Sequence, residues 1–201
     1  MKKLILAFLA AGSFFTASAQ SKTTFGVSAG VNFAKITASV DGLSGSGSSG
    51  SLTSFSVGVF ADAPIGGNFT IQPGLYYTGK GGASSESGED GKLKLNYLQV
   101  PVNFVYNAPI GGGKIFLGAG PYVGLGLNAK STGGSESADL EFGTDVKRTD
   151  FGATGLVGVR FDNGLLLKAN YDLGLSNILP DNELGVKSKN RVFGLSVGFT
   201  F

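Results

Sequence analysis

The sequence predicts an all-β protein, an eight-stranded antiparallel up-and-down transmembrane β-barrel. Three observations carry this expectation. First, the last eleven residues, 191–201, alternate without a break. Phe193, Leu195, Val197, Phe199 and Phe201 fall on one face, and Val192, Gly194, Ser196, Gly198 and Thr200 on the other. A period of two is a β-strand with unlike faces. Second, seven further segments repeat the pattern, and the links between the eight alternate long and short. Short turns on one side and longer loops on the other are what a barrel inserted from one side shows. Third, no stretch approaches the ~20 consecutive apolar residues that a helix needs to cross a bilayer. A membrane location then requires a closed sheet, because lipid leaves no other way to satisfy the backbone.

The composition fits one domain. Of 201 residues, 34 are Gly, more than twice the usual share of ~7%. Such a value is also found in disordered chains, but 42% hydrophobic residues and 16 Phe argue against disorder. Cys, His and Trp are absent, so there is no disulfide and no thiolate metal site.

The N-terminus reads as an export signal. Lys2 and Lys3 precede an apolar or small-residue run over residues 4–15, and Ala17-Ser18-Ala19 fits the small-x-small cleavage pattern. Residues 1–19 are expected to be a cleaved secretory signal peptide and residues 20–201 the barrel domain. The run would form ~18 Å of helix, short of the ~30 Å hydrocarbon core. Without Lys2 and Lys3 the chain carries 14 basic and 14 acidic residues, net zero. No basic footprint points to nucleic acid.

The strands follow in order. The first covers residues 23–35, with Phe25, Val27, Ala29, Val31 and Phe33 on one face. A Gly/Ser-rich link over 37–51 has no core-forming pattern and reads as a mobile loop. The second strand covers 52–62 and ends in a Pro-Gly turn, Ala63-Pro64-Ile65-Gly66-Gly67. The third covers 68–80, with Gln72 on the polar face, and is followed by a loop over 81–91 carrying Glu86, Glu89 and Asp90. The fourth covers 92–106 and changes phase. Leu93, Leu95 and Tyr97 alternate, then Leu98, Val100, Val102 and Phe104 do, which predicts a β-bulge between Tyr97 and Leu98.

A second Pro-Gly turn over 108–112 leads to the fifth strand, 114–128, and the longest loop, 129–148. The sixth and seventh strands, 149–161 and 165–177, are joined by Asp162-Asn163-Gly164. Phe161 and Leu165 share the apolar face, so they must oppose each other across a three-residue turn with Gly164 left-handed. That register sets Lys168, Asn170 and Asp172 against Gly158, Leu156 and Thr154. A loop over 178–190 precedes the last strand. Pro73, Pro101 and Pro121 fall inside strands, where each removes a ladder donor.

Size decides which face is outside. An eight-stranded barrel has an interior just wide enough for side chains. The Gly-rich face fits there, and the Phe, Leu, Val and Ile face fits lipid. The inner face also holds Asp62, Gln72, Asp150, Arg160, Lys168, Asn170 and Asp172. Basic groups on the lipid side near the midplane would cost about 2–4 kcal/mol each. A lipocalin-like barrel would invert the two faces, and a soluble sandwich would leave the apolar terminal strand as a sticky edge.

Residues 96–102 (NYLQVPV), 118–124 (GAGPYVG), 150–152 (DFG), 171–178 (YDLGLSNI) and the terminal strand to Phe201 resemble the PorT-type outer-membrane β-barrel family. The resemblance implies an integral barrel of the Gram-negative outer membrane. It also implies that the barrel-assembly machinery reads the C-terminal strand through Phe201. It implies no catalytic residues. The founding type is associated with protein secretion, a role that does not transfer on these motifs.

The chemistry that remains is limited. With no His, neither the Ser–His nor the Asp–His arrangement of outer-membrane enzymes can be built, so no enzyme and no cofactor are expected. The Gly-x-Gly repeats within 118–126 alternate in a strand and open no helix, so they read as interior packing rather than a dinucleotide loop. Glu86, Glu89 and Asp90 form an outer-loop acidic cluster, read as solvated or as a Ca²⁺ or cationic-ligand site. Asp150, Asp172 and Lys168 are expected to form an internal ion network, with Gly158 leaving room for Lys168. The expected function is a structural or interaction barrel, surrounded by outer-membrane lipid, with a largely filled interior. Long outer loops would meet an extracellular or membrane-protein partner. The alternatives are a narrow porin for small polar solutes and a secretion-linked subunit.

Overall fold

The computed structural model describes residues 22–40, 46–86, 89–133, 136–180 and 186–201. The expected signal peptide lies outside the described residues. The strands are β1 (Thr24–Val40), β2 (Ser46–Ser48), β3 (Leu52–Gly66), β4 (Phe69–Glu86), β5 (Glu89–Ile110), β6 (Gly113–Gly133), β7 (Glu136–Leu140), β8 (Thr149–Phe161), β9 (Leu165–Gly174) and β10 (Val186–Thr200). Eight of them form a closed antiparallel ring, β1-β3-β4-β5-β6-β8-β9-β10, which β10 shuts by pairing with β1. β2 pairs with β1 and β7 with β6, both outside the ring. Closure leaves no edge of the ring unpaired, the condition for a sheet in lipid.

The large apolar side chains point outward. Phe25, Val31, Phe55, Val59, Leu117, Phe151, Leu195 and Phe201 are all exposed. Two levels of the outer wall are aromatic. Near the short turns, Phe69 stacks on Phe104 and tilts against Tyr106. Toward the other rim, Phe33 pairs with Phe193 and Phe55 with Tyr77. Aromatic girdles at both water interfaces flank the apolar band of such barrels.

The Asp162-Asn163-Gly164 turn has the expected form. Gly164 N–H donates to the Phe161 carbonyl at 3.0 Å, and Gly164 has φ +89. A side chain rarely tolerates that conformation. Lys168, Asn170 and Asp172 oppose Gly158, Leu156 and Thr154.

The long links depart from expectation. Residues 81–86 and 89–91 are strand rather than loop: β4 and β5 stay paired out to Glu86↔Glu89. Likewise β6 runs on to Gly133, β1 to Val40, and β10 starts at Val186. Several outer links are therefore hairpins that project beyond the apolar band. Polar sequence in them satisfies ladders in water, so alternation of apolar and polar residues did not reveal them.

The bulge is also corrected. β5 keeps one phase throughout: Leu95, Tyr97, Gln99, Asn103, Val105 and Asn107 are all buried. Leu93 to Tyr97 belong to an apolar layer inside the barrel, above the lipid belt, which mimics a change of phase. A register shift does occur at this step, from Asn96↔Asn128 to Tyr97↔Gly126, so the extra residue is Leu127 of β6. The strand prolines sit at gaps. Pro73 falls where the β3–β4 ladder passes from Phe60↔Gly74 to Ala63↔Ile71. Pro101 falls in the gap between Pro73↔Val102 and Tyr76↔Gln99, and Pro121 in the gap between Pro101↔Tyr122 and Phe104↔Ala119.

Candidate functional site

The interior is the first candidate, because inward residues decide whether the barrel can conduct. Strand parity stacks them in layers from the short turns upward. At the lower mouth Arg160 Nη1 meets Asp62 Oδ2 at 2.6 Å, both nearly fully buried. Asn107 Nδ2 donates to Thr70 Oγ1 at 3.2 Å close by. Gln72, two residues beyond Thr70 on β4, is also buried.

Above lies an apolar layer of Phe60, Val105, Phe116, Leu156 and Leu166, with Tyr76 against it. Here the small residues show their purpose. A Cβ on Gly158 would collide with the Phe116 ring, so Gly158 makes room for that ring and not for Lys168 as expected. Lys168 instead reaches the Tyr76 hydroxyl at 3.4 Å, with its Nζ 4.8 Å from the ring centroid.

The next layer is polar. Asp172 accepts from Thr154 Oγ1 at 2.6 Å, Gln99 Nε2 at 2.9 Å and Asn170 Nδ2 at 3.2 Å. Asn32 Nδ2 donates to Thr78 Oγ1 at 3.0 Å. These groups line a cavity of about 40 Å³, room for a few waters at ~10–15 Å³ each.

A cage closes the polar layer from above. Asp150 is fully buried and receives Lys80 Nζ at 2.9 Å, Asn190 Nδ2 at 3.2 Å and the Tyr122 hydroxyl at 3.4 Å on Oδ2. Ser176 Oγ donates to Oδ1 at 2.6 Å. The Lys80 ammonium stands 4.1 Å from the Tyr122 ring centroid and 5.4 Å from that of Tyr97. A Cβ on Gly152 would strike the Tyr122 ring, so that glycine gives the cage its space. Above the cage a second apolar cluster, Leu95, Tyr97, Ala129, Val146 and Ile178, fills the upper mouth. Phe142 joins it edge-on to Tyr97 at 5.8 Å.

The expected network is therefore divided. Asp62 and Arg160 come together at one end. Asp172 and Asn170 meet in the middle. Asp150 pairs with Lys80 rather than Lys168, and Asp172 is held by neutral donors. No Asp150–Lys168–Asp172 network forms, because these residues stand at different heights on β8 and β9. Lys80 was missed, although it shares the parity of Thr70, Gln72, Tyr76 and Thr78. It is the last residue of the expected strand, one inward step beyond Thr78. A change of phase in β5 would turn Tyr97 outward, which hides its place in the cage, whereas Gln99 falls on the inner face either way and lacks only a charge to single it out.

The outer hairpins are the second candidate. Glu86 and Glu89 pair through their backbones at the β4–β5 tip, as Ser85 does with Asp90. The side chains of Glu86, Glu89 and Asp90 lie outside the described residues. Among the described residues no group of three His, Cys, Asp or Glu side chains is placed to hold a metal.

A family model described as outer membrane protein beta-barrel domain matches residues 18–179. The chain belongs to this family. It is a protein of the Gram-negative outer membrane, in keeping with its lipid-facing belt. Several solved structures are similar in outline. Ail, the attachment invasion locus protein of Yersinia pestis, is 15% identical over 90% of this chain and 100% of its own, with a TM-score of 0.45. Neisserial surface protein A is 21% identical over 90% and 98%, with a TM-score of 0.49. OprG from Pseudomonas aeruginosa is 13% identical over 89% and 95%, also at 0.49. No curated protein sequence matches the chain.

Proposed function

We propose that this family member is a non-enzymatic structural or interaction barrel whose projecting hairpins bind an extracellular or membrane-protein partner. The observation that supports it is the filled interior. Two apolar layers and two buried ion pairs stand between one mouth and the other. Wide aqueous channels come with about sixteen or more strands. Surface display then falls to β2, β7 and the outer ends of β4, β5 and β6. The absence of His removes the Ser–His and Asp–His arrangements considered for an enzyme. Residues 1–19 are proposed to be removed on export, which N-terminal sequencing of the membrane-inserted protein checks.

A second reading, a narrow porin, draws on the polar layer around Asp172, Gln99 and Asn32. Single-channel recording of the refolded protein in a planar bilayer separates the two. Silence from protein shown to be folded and inserted supports the closed barrel. Reproducible steps that change with Lys168→Ala or Asp172→Ala establish a pore and overturn the first reading. Pull-down from native membranes with and without the β4–β5 and β6–β7 tips then tests the hairpins as the binding surface.

A further inference from the structure

The outer wall carries an arrangement that an isolated sheet avoids. On β1 and β10 the outward residues run Val31, Phe33, Lys35 and Leu195, Phe193, Arg191. Lys35 and Arg191 are direct cross-strand partners, one outward position above the Phe33–Phe193 pair. Lys189 lies one outward step higher, opposite Thr37. On β5 and β6 the same motif recurs. Leu98 closes the apolar belt on β5, and Lys94 above it is the direct partner of Lys130. Lys92 continues the face one step higher, opposite Thr132. Lys35, Lys92, Lys94 and Lys130 are exposed.

Like charges directly opposed across an antiparallel pair are destabilising. Two such pairs occur here on the outer side of the lipid belt, one outward position above Phe33–Phe193 on β1 and β10, and two above Leu98 on β5, where the Asn96–Asn128 pair lies between. Among the described residues, neither pair is neutralised. No carboxylate with a described side chain stands at ion-pair distance from Lys35, Arg191, Lys94 or Lys130. Asp139 faces Lys130 across β7 without forming an ion pair with it. Arg191 spends its Nη1 donor on the carbonyls of Gly174 and Asn190.

Height identifies what would offset the repulsion. Outward positions on one strand are spaced ~6.6–7 Å apart. The first cations therefore stand one such step (Lys35 and Arg191) or two (Lys94) above the last apolar side chain of their strand, where a long basic side chain reaches the head-group layer. The other rim differs. Its basic residues Lys114 and Arg160 are on the inner face, opposed in register, with Arg160 held by Asp62. The asymmetry follows the membrane and not the sheet.

We propose that Lys35–Arg191–Lys189 and Lys92–Lys94–Lys130 are two binding sites for phosphate-bearing lipid head groups of the outer leaflet. Each site would hold an anionic phosphate oxygen between two cross-strand cations, while the acyl chains lie on the aromatic and aliphatic belt directly below. Arg presents a planar fork suited to phosphate and Lys a point charge. Basic residues beside an apolar belt attract anionic lipid in this way. This inference does not depend on whether the barrel conducts or binds a protein partner.

The test uses the full refolded barrel in phosphatidylcholine vesicles containing a minor fraction of spin-labelled phosphatidylglycerol or spin-labelled phosphatidylcholine. The immobilised fraction of each label gives their relative association with the protein. The expected result is a preference for the anionic lipid of roughly five-fold or more, on the scale known for basic residues near a charged surface. That preference falls about halfway in each double variant, Lys35→Gln/Arg191→Gln and Lys94→Gln/Lys130→Gln, and disappears when all four are combined. Heat-modified migration on gels confirms folding of each variant, and the two double variants suffice if the quadruple one does not fold. No preference in the unaltered protein overturns the proposal, as does a preference that survives both double variants. A third arm adds inorganic phosphate at millimolar concentration. If it displaces the lipid preference completely, the sites are for soluble anions, and the assignment to lipid is overturned.

Discussion

The two buried ion pairs stand at opposite ends of the same lumen and are built differently. At the upper end Asp150 takes hydrogen bonds from Lys80, Ser176, Asn190 and Tyr122, and the ammonium sits against the Tyr122 and Tyr97 rings. At the lower end Asp62 and Arg160 share a single close contact, Arg160 stands 6.0 Å from the Phe116 ring centroid, and Asp62 Oδ1, Arg160 Nε and Arg160 Nη2 have no hydrogen-bond partner among the described residues. A buried charge is tolerable when its remaining lone pairs and protons are also met. The upper pair meets that condition and the lower one does so only in part. Saturation, more than distance, therefore separates a structural lock from a pair that merely fills a mouth.

This contrast can be broken experimentally. The largest effect is expected from Asp150→Asn. It keeps the shape but leaves Lys80 charged in a fully buried site, at a cost of about 3–5 kcal/mol. Urea unfolding in detergent micelles, followed by far-ultraviolet circular dichroism because the chain has no Trp, measures it. Replacing both partners, Lys80→Met with Asp150→Leu, should recover much of that loss, since apolar substitutes for a buried pair are often neutral or stabilising. A double variant as damaged as Asp150→Asn alone would show that the hydrogen bonds from Ser176 and Asn190, and not the charge, hold the cage together.

At the lower end, Arg160→Met should cost less, about 1–3 kcal/mol, the usual penalty for a buried acceptor losing its donor. Lys114 is its cross-strand partner and can approach Asp62 in its place. An effect as large as that of Asp150→Asn would erase the distinction between the two ends. The smallest change is expected from Lys168→Met, under about 1 kcal/mol, because its contacts are one long hydrogen bond and the Tyr76 ring. The same unfolding series ranks all four variants.

Strand parity made most of the architecture legible before any coordinates. It assigned Phe193 and Leu195 to the outside, put Asp62, Arg160 and Asp172 inside, and required a three-residue turn at Gly164. Height was not legible. Asp150 on β8 meets Lys80 on β4 across the lumen, with β5 and β6 between them around the ring. Which inward residues share a level depends on strand tilt and stagger, which periodicity along one strand does not contain. For the same reason alternation alone places Leu95 and Tyr97 on the wrong face. Their apolar character reflects a second internal cluster beyond the membrane, and one-dimensional alternation cannot tell that from a bulge.

The closing seam has a kinetic consequence. From Gly26↔Thr200 to Val40↔Val186, the last strand of the chain completes the ring on the first. The other ring contacts join strands consecutive around the chain, so they can form as hairpins. The seam alone couples the two termini, and bringing distant ends together carries the largest loop-closure entropy in the molecule. Non-local pairing of this kind slows folding. Until Phe193 finds Phe33, the apolar wall has two open edges, and a neighbouring unfinished chain competes for them on equal terms. The yield of correctly closed barrels is therefore governed by how long that last gap stays open, and dilution or a catalyst that holds the first strand in place should raise it.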